Sequence, residues 1–321
     1  MNNFIKHLLL LPLVSLAAGL VSAEQVSIKP NQLRLNAQLR LVTEAINEGP
    51  LVLIVHGTLA HNGMEIIASL QELLADEELN SLAINLSLGI DDRHGAYDCA
   101  VPHQHQHQDA SGEIAAWVDW LKAQGVEQIL LTGHSRGGSQ VAAYSQQADD
   151  AIIGQVLIAP MTWSPEYAAK TYQRSYQTSL LEQVKVANAQ DKNDWMPAAT
   201  SFIYCKDAPQ VKAASFLSYY QPAQTLNTPD LILDGGLPTV LFAGSEDQVV
   251  KDLPQQMQTR QLANLEFIVV DGADHYFRDL YADELVEAML EWSKSAKIGA
   301  GVLVDASGSL GLNHGGLAYG Y

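Results

Sequence analysis

The run Gly133-His134-Ser135-Arg136-Gly137-Gly138 sets a serine between glycines two positions to either side, directly after an apolar stretch at 128–132 and before a helical pattern at 140–147. A tight turn from strand to helix would hold Ser135 in a strained backbone conformation, and small flanking residues are needed because the two elements approach closely there. A serine hydroxyl is a poor nucleophile near neutral pH, so covalent chemistry at Ser135 calls for a base beside it. A second run could do different chemistry. In His103-Gln104-His105-Gln106-His107, strict alternation along an extended chain would put His103, His105 and His107 on one side, where three imidazoles could bind Zn²⁺ or Cu²⁺. The plain alternative for this stretch is a solvated polar loop at the edge of a pocket.

The elements that would position these residues follow from the hydrophobic pattern. Short apolar runs at 51–55, 82–86, 128–132, 155–159, 239–243 and 266–270 alternate with helical patterns, which predicts an α/β chain with a mainly parallel sheet covered by helices on both faces. Ile66, Ile67, Leu70, Leu73 and Leu74 form one helical stripe, and Ile114, Trp117, Val118 and Leu121 form another. A last helix at 279–294 would turn Leu280, Leu285, Ala288, Met289 and Trp292 inward. The alternation breaks at 161–236, rich in Gln, Ala and Tyr and without a clear buried strand, and this stretch reads as an inserted helical cap. Its rings, among them Trp163, Tyr167, Tyr172, Tyr176, Phe202, Phe216 and Tyr219, would mostly form the cap's own small core, with a pocket lining as the alternative. The expected organisation is a core at 24–160 and 237–297, the cap at 161–236 and a glycine-rich tail at 298–321 that is poorly ordered or loosely docked.

At the N-terminus, Lys6 precedes an apolar run at 8–21 and then Val21-Ser22-Ala23, which reads as a Sec-type signal peptide over residues 1–23 and places the protein in the periplasm or outside the cell. That run is about 14 residues, where a spanning helix needs about 20. No later run is long enough to span. The formal charge is −18, and −19 once Lys6 leaves with the signal, which excludes nucleic acid and anionic membrane as partners. In an exported protein the pair Cys99 and Cys205 is a disulfide candidate, with two buried thiols as the alternative.

Four motifs together resemble the α/β-hydrolase superfamily over 49–294. They are the serine turn, Val55-His56-Gly57-Thr58 at the end of an earlier strand, Ala243-Gly244-Ser245-Glu246-Asp247, and Asp271-Gly272-Ala273-Asp274-His275. The resemblance implies Ser135 as nucleophile, His275 as general base and Asp247 as the acid that orients it, and the chain order Ser, Asp, His is that of this fold. Glu246 or Asp252 is the alternative acid. The oxyanion would be held by the backbone N–H of Arg136 with that of Thr58 or Leu59. His56 and His134 would be structural parts of their turns, Asp274 would point away, and Arg136 would meet either a carboxylate or an anionic substrate. The function implied is hydrolysis of an ester or related acyl bond in a small molecule, with no cofactor. Two other readings stay open: an exported metal-binding protein using the histidine stretch, and a catalytically silent partner in an envelope complex. Nothing in the sequence sets the oligomeric state.

Overall fold

Leu51–Val55 holds five consecutive apolar residues, all fully buried, as a strand covered on both faces requires. The computed structural model describes residues 22–147, 149–221, 226–232, 236–296 and 298. In chain order it begins β1 (Ser22–Ile28), β2 (Leu35–Leu41), β3 (Leu51–Val55), α1 (Glu65–Asp76), β4 (Asn80–Asn85), α2 (Asp109–Ala123), β5 (Ile129–His134), α3 (Arg136–Tyr144) and β6 (Ile152–Ile158). Then come α4 (Pro165–Tyr176), α5 (Leu180–Asn188), β7 (Thr200–Phe202), β8 (Cys205–Ala208), α6 (Ala213–Tyr220) and α7 (Thr228–Leu231). The chain closes with β9 (Thr239–Gly244), α8 (Leu253–Met257), β10 (Leu265–Val270) and α9 (Leu280–Ser295).

Eight strands form one sheet in the order β1-β2-β4-β3-β5-β6-β9-β10, and from β4 to β10 every pairing is parallel. All six apolar runs are strands of this sheet. Helices α1 and α9 pack together, as do α2 and α3, and with β3, β4 and β5 buried throughout, both faces of the sheet are covered. The core holds Trp117, Ile67, Leu70, Phe242 and Phe277. Each such side chain contributes about 1.5–3 kcal/mol by leaving water.

From β3 the chain steps to β4 on one side and then to β5 on the other, so the strand order reverses at β3. A crevice opens outside the carboxyl ends of the strands at such a reversal. Val55 is paired with Gly133 there, which sets His56 and Gly57 beside Ser135.

The structure corrects several expectations. Strands β1 and β2 extend the sheet as antiparallel additions, although Leu35, Ala37, Leu39 and Leu41 alternate cleanly with polar residues. The stretch at 161–236, read as a helical cap without a clear buried strand, contains the antiparallel hairpin β7–β8, with all of β7 buried. Leu280, expected to face inward, opens α9 at 81% exposure, while Leu285, Met289 and Trp292 are buried. Ile298, read as the start of a loose tail, is buried in the main core. Residues 1–21 of the expected signal and 299–321 of the tail lie outside the described residues.

Four of the rings at 161–236, Tyr172, Phe202, Phe216 and Tyr219, are buried in a second cluster that also takes in Leu59 and Tyr97. Helices α4 and α5 start on serine caps: Ser164 accepts from the N–H of Tyr167 and Ser179 from that of Glu182, with Pro165 in the first turn of α4. Cys99 and Cys205 are joined by a disulfide with Cα atoms 5.3 Å apart, which ties the loop after β4 to the start of β8.

Candidate active site

Ser135 sits between β5 and α3 with φ +56° and ψ −122°, a conformation few non-glycine residues adopt. Such strain costs about 1–3 kcal/mol and persists only where the surroundings over-determine it. Here they do. The Ser135 N–H donates to Ile158 O at 2.8 Å, and its carbonyl accepts from Gly138 N–H at 3.0 Å and Met161 N–H at 3.1 Å. The flanking glycines are required by contact: a Cβ on Gly133 would stand 2.5 Å from Gly137 O, and one on Gly137 would run into the carbonyl oxygens of Val55 and His56.

His275 follows β10 and Asp247 follows β9, so parallel strands deliver both to the same end of the sheet as Ser135. The His275 Nε2 lies 2.9 Å from Ser135 Oγ, and its Nδ1 lies 2.8 Å from Asp247 Oδ2. All three are nearly buried, at 4%, 4% and 7% exposure. Asp247 Oδ1 accepts from the N–H groups of Val249 at 2.6 Å and Val250 at 2.9 Å. Burial by itself pushes this carboxyl up, but the His275 hydrogen bond and charge and the two backbone N–H groups outweigh it and hold Asp247 below the usual carboxylate range. The alternative acids are elsewhere: Glu246 is exposed, and Asp252 accepts from Thr162 Oγ1 and Gln256 Nε2. Asp274 points away, onto Arg278 and the N–H of Tyr276.

The two neighbouring histidines are buried and held neutral. Leu86 N–H donates to His56 Nε2 at 3.1 Å, so the proton is on Nδ1, which donates to Gly57 O at 2.9 Å. Burial, with the Arg93 charge behind it, lowers His56 to about 3. His134 Nε2 donates to the carbonyl of His275 at 2.8 Å, and burial, then the charge of His275, lowers it to about 4. Arg93 was not signalled by any motif. It is buried and donates to Leu86 O at 2.7 Å, Gly95 O at 2.5 Å, Ala60 O at 2.8 Å and Asn85 Oδ1 at 2.8 Å, bracing the turn that follows β3.

Of the expected oxyanion donors, Arg136 opens α3, where a backbone N–H has no partner within the helix. Its side chain ties the two turns together, Nε donating to Thr58 Oγ1 at 2.9 Å. Leu59 turns into the second cluster, and its carbonyl accepts from Tyr97 N–H at 2.9 Å. A cavity of about 300 Å³ opens next to this junction, with Thr58, Arg136, Met161, Trp163, Tyr167, Tyr219 and Val249 in its wall. Arg136 and Met161 bring the wall up to Ser135, and neither Ser135 nor His275 is part of it.

The histidine stretch is buried, which overturns the solvated-loop reading. His103, His105 and His107 alternate with more exposed glutamines, as the spacing predicts, but they face Tyr97, Phe202 and Tyr219. Tyr219 Oη is 2.8 Å from His105 Nδ1, and His105 Nε2 is 3.4 Å from His103 Nδ1. Both nitrogens of His105 are engaged in this way. No group of three or more His, Cys, Asp or Glu side chains among the described residues could hold a metal ion.

The chain belongs to the alpha/beta hydrolase family, whose model matches residues 52–288. No curated protein matches it. Among solved structures it is similar to Est1E from Butyrivibrio proteoclasticus, at 21% identity and a TM-score of 0.59, covering 84% of this chain and 99% of that one. It is similar also to the esterase Pf2001 of Pyrococcus furiosus, at 17% identity and 0.58, covering 86% and 91%. A thermophilic esterase from Thermogutta terrifontis aligns at 19% identity and 0.55, covering 85% and 99%. At these identities the likeness is one of fold. Among the described residues no helix is long and apolar enough to cross a membrane.

Proposed function

We propose that this protein is an exported serine esterase that cleaves a small-molecule ester through an acyl-enzyme on Ser135. One observation carries the reading: Ser135 Oγ, the His275 ring and the Asp247 carboxylate are linked by hydrogen bonds of 2.9 and 2.8 Å. His275 takes the hydroxyl proton as Ser135 Oγ bonds to the carbonyl carbon, then gives it to the departing alkoxide as the old C–O bond breaks. Water repeats the two steps and releases the acid. Asp247 keeps the proton of the resting ring on Nδ1 and stabilises the imidazolium as it forms. The oxyanion takes hydrogen bonds from the N–H of Arg136 and of Thr58, the residue that Arg136 ties to the serine turn. Loss of one such donor costs about 3–4 kcal/mol in the barrier.

The signal-like start and the disulfide support export, since disulfides persist in oxidising compartments. A fluorophosphonate probe tests the chemistry. It is expected to label the mature protein and to leave Ser135→Ala unlabelled; equal labelling of the two proteins would end the assignment.

A further inference from the structure

Acidic residues outnumber basic ones 36 to 18 along the chain, yet the cavity wall beside the serine turn carries Arg136 and Arg174 and, among its described residues, no aspartate or glutamate. Arg136 is half-buried. Its Nε–H is used on Thr58 Oγ1, and its guanidinium lies 5.0 Å from the centre of the Tyr219 ring. These contacts fix the plane of the group while no acceptor among the described residues takes up Nη1 or Nη2. A cation partly withdrawn from water ordinarily has a carboxylate beside it. Among the described residues none pairs with Arg136, although the chain holds thirty-six acidic residues. The open edge of the guanidinium offers paired N–H groups that a carboxylate accepts in two-pronged fashion, a geometry lysine does not provide.

The rest of the wall includes Trp163 and six tyrosines beside the polar Thr162, Thr171, Ser175 and Gln248, and three of the tyrosine hydroxyls are committed to the protein. Tyr167 donates to Val249 O at 2.8 Å, Tyr172 to Ser201 O at 2.7 Å, and Tyr219 is bonded to His105 at 2.8 Å. What these side chains offer the cavity is ring surface. At about 300 Å³ the space stands at the small end of small-molecule pockets, and it suits one ring with short substituents.

We propose that this cavity takes the carboxylate-bearing aromatic half of the ester, with the carboxylate on Arg136 and the ring among Trp163, Tyr167 and Tyr219. This substrate class rests on the serine-esterase reading above. Arg174, exposed on α4, adds a longer-range attraction that salt screens.

Two pairs of esters separate charge from shape. Monomethyl terephthalate against methyl 4-carbamoylbenzoate carries the carboxylate on the acyl half; 4-carboxyphenyl acetate against 4-carbamoylphenyl acetate carries it on the leaving half. With each kcat/KM divided by the alkaline hydrolysis rate of the same ester, the anion of at least one pair is expected to exceed its amide by about tenfold. That ratio should fall to about one in Arg136→Gln and recover in part in Arg136→Lys. Calorimetry on Ser135→Ala gives a second readout that needs no turnover: 4-carbamoylbenzoate should bind about tenfold tighter than terephthalamide. Anion preference in binding without turnover of any ester would keep the cavity assignment and remove the esterase reading. Turnover with no anion preference in either readout would do the reverse.

Discussion

Asp247 spends its two oxygens differently, one on His275 and one on the N–H groups of Val249 and Val250. Replacing it by Asn keeps the shape but lets the side chain present an amide N–H toward His275, which favours the wrong tautomer of the ring. Asp247→Asn is therefore expected to lower kcat by on the order of 10⁴ while leaving the melting temperature within a few degrees. A loss under tenfold, measured with an activated ester, would show that another group orients the histidine. At this scale the local sequence was informative, because Ser135, Asp247 and His275 each follow a largely apolar strand within a short loop whose glycines mark the turn. Arg93 was not legible, since most of its acceptors are backbone carbonyls, which any residue type supplies equally, and no spacing rule points to them.

Among the elements, α4 supplies much of the cavity wall, and the hairpin β7–β8 joins the wall to the histidine stretch. Phe202 from β7 and Tyr219 from α6 pack on the histidine stretch, and Ile203 and Tyr204 at the hairpin turn reach the cavity wall. The Cys99–Cys205 bond holds this hairpin to the loop after β4 across a sequence separation of 106. Removing it with Cys99→Ser and Cys205→Ser together is expected to cost about 2–5 kcal/mol. A denaturant titration of both proteins checks this, and a loss below about 0.5 kcal/mol would mean that packing of the second cluster alone holds the hairpin. The central strands β3, β5 and β9 were legible because a doubly buried strand is apolar along most of its length. The hairpin was not, since a three-residue strand is too short to show a period, and β1 is largely exposed and polar.

At the scale of the whole molecule, four histidines among the described residues are buried and lowered by that burial: His56 and His105 to about 3, and His103 and His134 to about 4. In the unfolded chain each would titrate near its ordinary value of about 6.5. Below that value the unfolded state binds protons that the folded state refuses, so stability falls as pH drops toward 5, by up to about 1.4 kcal/mol per pH unit for each histidine. Glu113, raised by burial, works against this by one proton at most. Thermal melts from pH 7 to pH 5 should show a falling Tm; a Tm that holds or rises would mean that these rings are hydrated or paired in solution. The sequence by itself determined the parallel sheet, the strained serine turn and the order in which Asp247 and His275 follow it, because each rests on near neighbours along one strand and the loop that ends it. Only the tertiary structure decided that the alternating histidines face protein instead of water and that Arg136 meets Thr58 and Tyr219. Those outcomes depend on which side chains from residues far along the chain arrive on the same face, and no local period carries that information.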